Sequence, residues 1–127
     1  MTTSTPDNQT EILVVEDSTT QAQYLARLLE TEGGFRVRIA PNGAEGLRAA
    51  RESLPTLVVS DIAMPEMDGF DMCKEFKKDA ALRDIPVILL TSLTSLYDVI
   101  KGLDCGADNF IRKPFDSKNL LGRIRFI

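Results

Sequence analysis

Four short stretches put acids, a hydroxyl and a lysine where chemistry could be done. "VVED" ends in Glu16 and Asp17, and "VVSDIAMPEMDG" carries Asp61 directly after an apolar run. "LLTS" ends in Thr91 and Ser92, and "FIRKPF" sets Lys113 before Pro114. Three carboxylates brought to one place repel one another and raise one another's pKa values unless a cation shares the site. Oxygen ligands without nitrogen or sulfur favour Mg²⁺, which keeps several waters and recruits phosphate oxygens. A fixed positive charge at Lys113 and a hydroxyl donor at Thr91 then suit a phosphoryl group, whose negative charge is spread over three oxygens. One carboxylate is left over as a nucleophile.

The other acids nearby read differently. Glu66 and Asp68 follow Met64-Pro65 in a loop, and Asp68-Gly69 has the chemistry of a turn and a helix start, so Asp68 is expected as a cap and Glu66 facing solvent. The run from Asp61 to Gly69 lacks the acid spacing of a calcium-binding loop.

The elements that must position these residues follow a repeating pattern. Five β-rich runs, "EILVVE" (11–16), "FRVRIA" (35–40), "TLVVSD" (56–61), "IPVILLT" (85–91) and "DNFIRK" (108–113), alternate with helical patterns. Strand and helix in alternation predict an α/β fold with a parallel sheet and helices on both faces. The first and third runs are continuous and apolar, as strands buried on both faces should be. In a doubly wound, flavodoxin-like sheet of order 2-1-3-4-5 they are neighbours at the switch point, with the crevice off their carboxyl ends. All the reactive residues then share one rim.

The first helix carries Ala22, Leu25, Leu28 and Leu29 on one stripe, with Ser18 and Gln21 spaced as a capping box and Gly33-Gly34 as its stop. The second has Asn42 and Glu45 as cap and box, and Leu47, Ala50 and Leu54 as its inner face. Phe70, Cys73 and Phe76 form the stripe of the third. A fourth is expected from about Ser95 to Leu103, and a last one from about Asp116, still in progress where the sequence stops at Ile127. The expected organisation is a flexible lead-in over residues 1–10 and one domain over 11–127, cut within its last helix from a longer protein.

Composition excludes several function classes. A chain of 127 residues with 43% hydrophobic content supports one domain with a core. The formal charge of −4 and the lack of a Lys/Arg stripe argue against direct nucleic-acid binding. The polar first ten residues are no signal peptide, and no apolar run approaches membrane-spanning length, so a soluble cytoplasmic protein is expected. Cys73 and Cys105 lack CxxC spacing and read as reduced packing residues. With no histidine, Ser-His triads, imidazole metal sites and a histidine base are all excluded.

The four motifs, in this order and at these strand ends, make residues 11 to 126 resemble a response-regulator receiver domain of two-component signalling, of the chemotaxis-regulator kind. The resemblance implies that Asp61 accepts a phosphoryl group, and that Glu16 and Asp17 hold Mg²⁺ together with Asp61 and the backbone carbonyl of Ala63. It implies that Lys113 contacts the phosphoryl oxygens, that Thr91 moves toward the new group, and that Phe110 then turns inward. The face made by the fourth helix, fifth strand and fifth helix is remodelled, and there an output domain, a partner or a second copy would bind. The Lys113-Pro114 bond is implied to be cis. Such a domain is a signalling module that catalyses only its own phosphotransfer and slow dephosphorylation. The phosphohistidine donor, a histidine kinase or phosphotransfer protein, must lie in another protein or later in the same chain.

Asp61 stands between the acidic pair and the lysine, which is why the residues and the resemblance agree on it as the nucleophile. An acyl phosphate there is a high-energy anhydride whose formation and hydrolysis can shift and reset a conformational equilibrium. The chain departs from the commonest pattern at Glu16, often aspartate, and at Phe110, which lacks a tyrosine hydroxyl. Ala63 and Leu93 cannot orient a water, so slow self-dephosphorylation is expected. Two alternatives are a pseudo-receiver that only binds partners and an FMN-binding electron carrier. Retention of the whole acidic cluster with Thr91 and Lys113 disfavours the first; an acidic crevice without tryptophan disfavours the second.

Overall fold

Residues 10–64, 66–92, 100 and 104–126 are described by the structure, a computed structural model. The chain runs β1 (Glu11–Val15), α1 (Thr19–Thr31), β2 (Arg36–Ala40), α2 (Gly43–Glu52), β3 (Leu57–Asp61), α3 (Gly69–Lys78), β4 (Val87–Thr91), β5 (Asn109–Arg112) and a C-terminal helix, Ser117–Phe126. The strands form one parallel sheet of order β2-β1-β3-β4-β5, as expected. The expected fourth helix and Leu93 lie outside the described residues, Ile100 excepted.

Side chains alternate across each strand, so the sheet buries two layers. Ile12, Val14, Val59, Ile88 and Leu90 pack against Leu25, Leu28 and Leu29 of α1 and Leu120, Leu121 and Ile124 of the C-terminal helix. Leu13, Val15, Val58, Val87 and Leu89 pack against Leu47 and Ala50 of α2 and Phe70, Cys73 and Phe76 of α3. The central strands are covered on both sides, which is why β1 and β3 carry apolar residues without a polar alternation.

The helix ends depart from expectation in three places. At α1 the Ser18 hydroxyl accepts from the Gln21 N–H at 3.3 Å, but Ser18's own N–H donates to Glu16 Oε2 at 3.1 Å, so Glu16 takes the role assigned to Gln21. At α2 the Asn42 side chain accepts from the Glu45 N–H at 2.9 Å, while the Glu45 carboxylate turns to Arg48 at 2.9 Å and the box stays half made. Leu54 is not on the inner face of α2: the helix ends at Glu52, and Leu54 is 59% exposed. The physical reason is Pro55, which steers the residue before it out of helical backbone. Arg38 reinforces the stop by donating to the carbonyls of Ala49 and Ser53.

Candidate phosphoryl-acceptor site

Asp61 is the last residue of β3, beside Leu90 of β4, while its neighbour Ser60 lies beside Val15 of β1. Glu16 follows β1 directly and is fixed by its N–H, which donates to the Ala40 carbonyl at 3.0 Å. Parallel register therefore delivers Glu16, Asp17 and Asp61 to one rim, where one carboxylate oxygen from each lies within 4.8 Å of the others. Glu16 is buried, Asp17 exposed and Asp61 between the two.

Lys113 reaches the rim from the turn after β5. Its N–H donates to the Thr91 carbonyl at 2.7 Å, which ties it to the end of β4, and the Lys113–Pro114 peptide is cis. Its Nζ lies 3.0 Å from Asp61 Oδ1, and the Ile62 N–H donates to that same oxygen at 2.9 Å. Oδ1 is thus held by two donors, and among the described residues Oδ2 has none. The Asp61 carboxylate is oriented through Oδ1.

The loop after Asp61 holds it there. Gly69 donates its N–H to the Ile62 carbonyl at 2.8 Å, and a Cβ at Gly69 would stand 2.4 Å from the Asp61 carbonyl oxygen. Only glycine allows so close a return of the loop to the strand end. The buried Ser60 hydroxyl donates to the same Asp61 carbonyl at 2.8 Å. Sequence reasoning used Gly69 only as a helix start and gave Ser60 no role; the available signal was one polar residue in an apolar strand, directly before the acid. Asp68 caps α3, accepting from the Asp71 N–H at 2.8 Å, and Glu66 is exposed, with its backbone in the left-handed region at φ 68°. Ala63 sits exposed on this loop.

Among the described residues charge at the rim is unbalanced, with three carboxylates facing one lysine. Burial holds the Glu16 carboxyl above the ordinary carboxylate range; the Asp61 charge and the hydrogen bond with Asp17 push the same way, against the Ser18 N–H and Lys113. An all-oxygen donor set with excess negative charge and a buried carboxylate fits a hard divalent cation.

Thr91, the last residue of β4, stands beside Arg112 in the register, one residue past the partner of Asp61. Phe110 is half-buried and packs against the layer under α2 and α3. A groove of about 490 Å³ opens beside the lysine, lined by Glu16, Gln21, Tyr24, Lys113, Pro114 and Phe115 among others.

A five-stranded doubly wound sheet with an acidic rim and a lysine defines a class of receiver-like modules, and comparison assigns the family. Residues 12–125 match the family described as response regulator receiver domain, and the chain belongs to it. The chain is 42% identical over 125 residues to the probable transcriptional regulator ycf27 of Pyropia yezoensis, covering 95% of this chain and 49% of that protein. It is 40% identical over 114 residues to the DNA-binding response regulator MtrA of Mycobacterium tuberculosis, covering 90% of this chain and 48% of that one. The chain thus spans about half the length of these curated relatives. Among solved structures, the signal receiver domain of a signal transduction histidine kinase from Syntrophus aciditrophicus superposes with a TM-score of 0.87 at 45% identity, over 92% of this chain and 88% of that one. The chemotaxis protein CheY4 of Vibrio cholerae gives 0.86 at 29% identity, over 93% and 98%. Among the described residues no helix is long and apolar enough to cross a membrane.

Proposed function

We propose that this receiver domain takes a phosphoryl group onto Asp61 from a phosphohistidine donor and uses it to switch a protein-binding face. The observation that carries the reading is the Asp61 carboxylate, with Oδ1 held by Lys113 and Ile62 and one of its oxygens within 4.8 Å of oxygens from Glu16 and Asp17. Oδ2 attacks phosphorus, the new O–P bond forms as the donor P–N bond breaks, and the departing imidazole keeps the electron pair and takes a proton. Lys113 neutralises charge on the phosphoryl oxygens as it moves, and the Ile62 N–H keeps the carboxylate from rotating. Glu16, Asp17, Asp61 and the Ala63 carbonyl would hold Mg²⁺, which when bound offsets the charge shared by carboxylates and phosphoryl oxygens.

Thr91, at the end of β4, would donate its hydroxyl to the new group, and Phe110 on the adjoining strand is the aromatic whose packing would follow. The face formed by the expected fourth helix, β5 and the C-terminal helix would carry the signal to an output domain, a partner or a second copy in the cytoplasm, without direct contact to nucleic acid. Self-dephosphorylation is slow, since Ala63 and Leu93 have no group to orient a water. The domain's only catalysis is on its own phosphoryl group.

Incubating the chain with acetyl phosphate and Mg²⁺ and reading its intact mass tests this. A gain of one phosphoryl group in the wild type and none in Asp61→Asn is expected; an unmodified wild type, or an equal gain in the variant, contradicts it.

A further inference from the structure

The chain's two cysteines lie together in the apolar layer under α3, far along the sequence from each other. Cys73 is wholly buried on α3, and Cys105, 2% exposed, lies in the turn that leads to β5. The Cys73 thiol donates to the Cys105 carbonyl at 3.4 Å across 32 residues of sequence, which sets the two cysteines side by side. Both sulfurs are reduced, with no disulfide. We propose that Cys73 and Cys105 are a redox pair that closes to a reversible intramolecular disulfide on meeting a small-molecule disulfide such as oxidised glutathione, fastening α3 to the turn ahead of β5.

The pair is covered thinly on one side. Asp104 and Gly106, which flank Cys105, are exposed, and Gly106 turns the chain with φ 86°. Lys77 closes over this turn: a Cβ on Gly106 would stand 3.0 Å from the Lys77 Cγ, and the Lys77 ammonium donates to the carbonyls of Arg83 and Ile85 and to Asp108 at 3.1–3.2 Å. Local opening of the Asp104–Ala107 turn therefore uncovers Cys105 before Cys73. The adjoining Cys73 side chain, the Ala107 N–H and the nearby Lys74 hold the Cys105 thiol down to about 7 against its burial, while the Cys105 neighbour and burial push Cys73 up. Cys105 is the attacking thiolate and Cys73 the resolving thiol.

The chemistry balances as thiol–disulfide exchange. The Cys105 thiolate attacks one sulfur of the oxidant, the oxidant's S–S bond breaks, and a thiolate leaves. Cys73 gives its proton to that thiolate and attacks the Cys105 sulfur, expelling the second thiol. The pair loses two electrons and two protons, and the oxidant becomes two thiols.

The test is intact mass and peptide mapping of the folded chain after oxidised glutathione, beside Cys73→Ser and Cys105→Ser. The wild type should lose two hydrogens as a monomer, show a Cys73–Cys105 linked peptide, and regain its mass with dithiothreitol. Cys73→Ser should stop at a glutathione adduct on Cys105, and Cys105→Ser should stay unmodified. A wild type that remains reduced while folded, carries separate adducts on both cysteines, or links between chains overturns the proposal.

Discussion

The two ends of this sheet use the same kinds of residue to opposite effect. At the amino end Glu11 meets Arg38 at 3.0 Å and Arg36 at 3.6 Å, two cations for one carboxylate. At the carboxyl end, among the described residues, Glu16, Asp17 and Asp61 share Lys113, one cation for three carboxylates. The first arrangement is compensated: two cations face one carboxylate, and Arg38 also donates to the carbonyls of Ala49 and Ser53 at the end of α2. The second leaves net negative charge and an oriented oxygen on a rim that a cation and a phosphoryl group could complete. The lesson is that a functional end is marked less by its residue types than by what its neighbours leave uncompensated.

The largest break in this contrast should come from Lys113→Ala. Removing the rim's cation is expected to slow phosphoryl uptake from acetyl phosphate about 100-fold by intact-mass kinetics, whereas Arg38→Met at the other end leaves that rate unchanged. Gly69→Ala sharpens the account of how the rim is held. A methyl there would stand 2.4 Å from the Asp61 carbonyl, so the variant should lose about 1–3 kcal/mol in denaturant unfolding and take up phosphoryl more slowly. Arg38→Met should also cost about 1–3 kcal/mol, because carbonyls at the end of α2 lose their donor and Glu11 loses its nearer partner.

Glu16 gives a pH signature that the amino end lacks. Burial raises the folded-state pKa of Glu16 above its ordinary 4.5, so the folded chain binds this proton more tightly than the unfolded chain. The stability this group contributes is full below 4.5 and is lost as pH rises through the window above it. In EDTA, Glu16→Gln should therefore unfold at higher denaturant than the wild type at about pH 7, with the difference shrinking toward about pH 4. Added Mg²⁺ should narrow the gap by stabilising the wild type more. The smallest effect is expected at Glu66, whose φ of 68° suits glycine. Glu66→Gly should raise stability by less than about 1 kcal/mol.

Much of this was legible before any coordinates. All five strands lie within the runs read from sequence, because short β-branched and apolar stretches bounded by turn residues leave few other readings. Parallel topology then brings Glu16, Asp17, Asp61 and Lys113 together without any need for side-chain detail. What sequence did not disclose depends on three-dimensional approach. Leu54 looked periodic but meets Pro55 first. Glu16 could be read as a ligand, yet not as the acceptor for the first N–H before α1. That Gly69 closes on the Asp61 carbonyl, or that Cys73 faces Cys105 across 32 residues, is set by how α3 packs.

The central claim is that the uncompensated rim exists to phosphorylate Asp61 with a cation's help. Mapping the phosphoryl group by peptide mass spectrometry after acetyl phosphate, across a Mg²⁺ series that ends in EDTA, tests it most directly. Modification at Asp61 should rise with Mg²⁺ and vanish in EDTA. Equal modification in EDTA, or a phosphoryl group found on Asp17 or elsewhere, would contradict it.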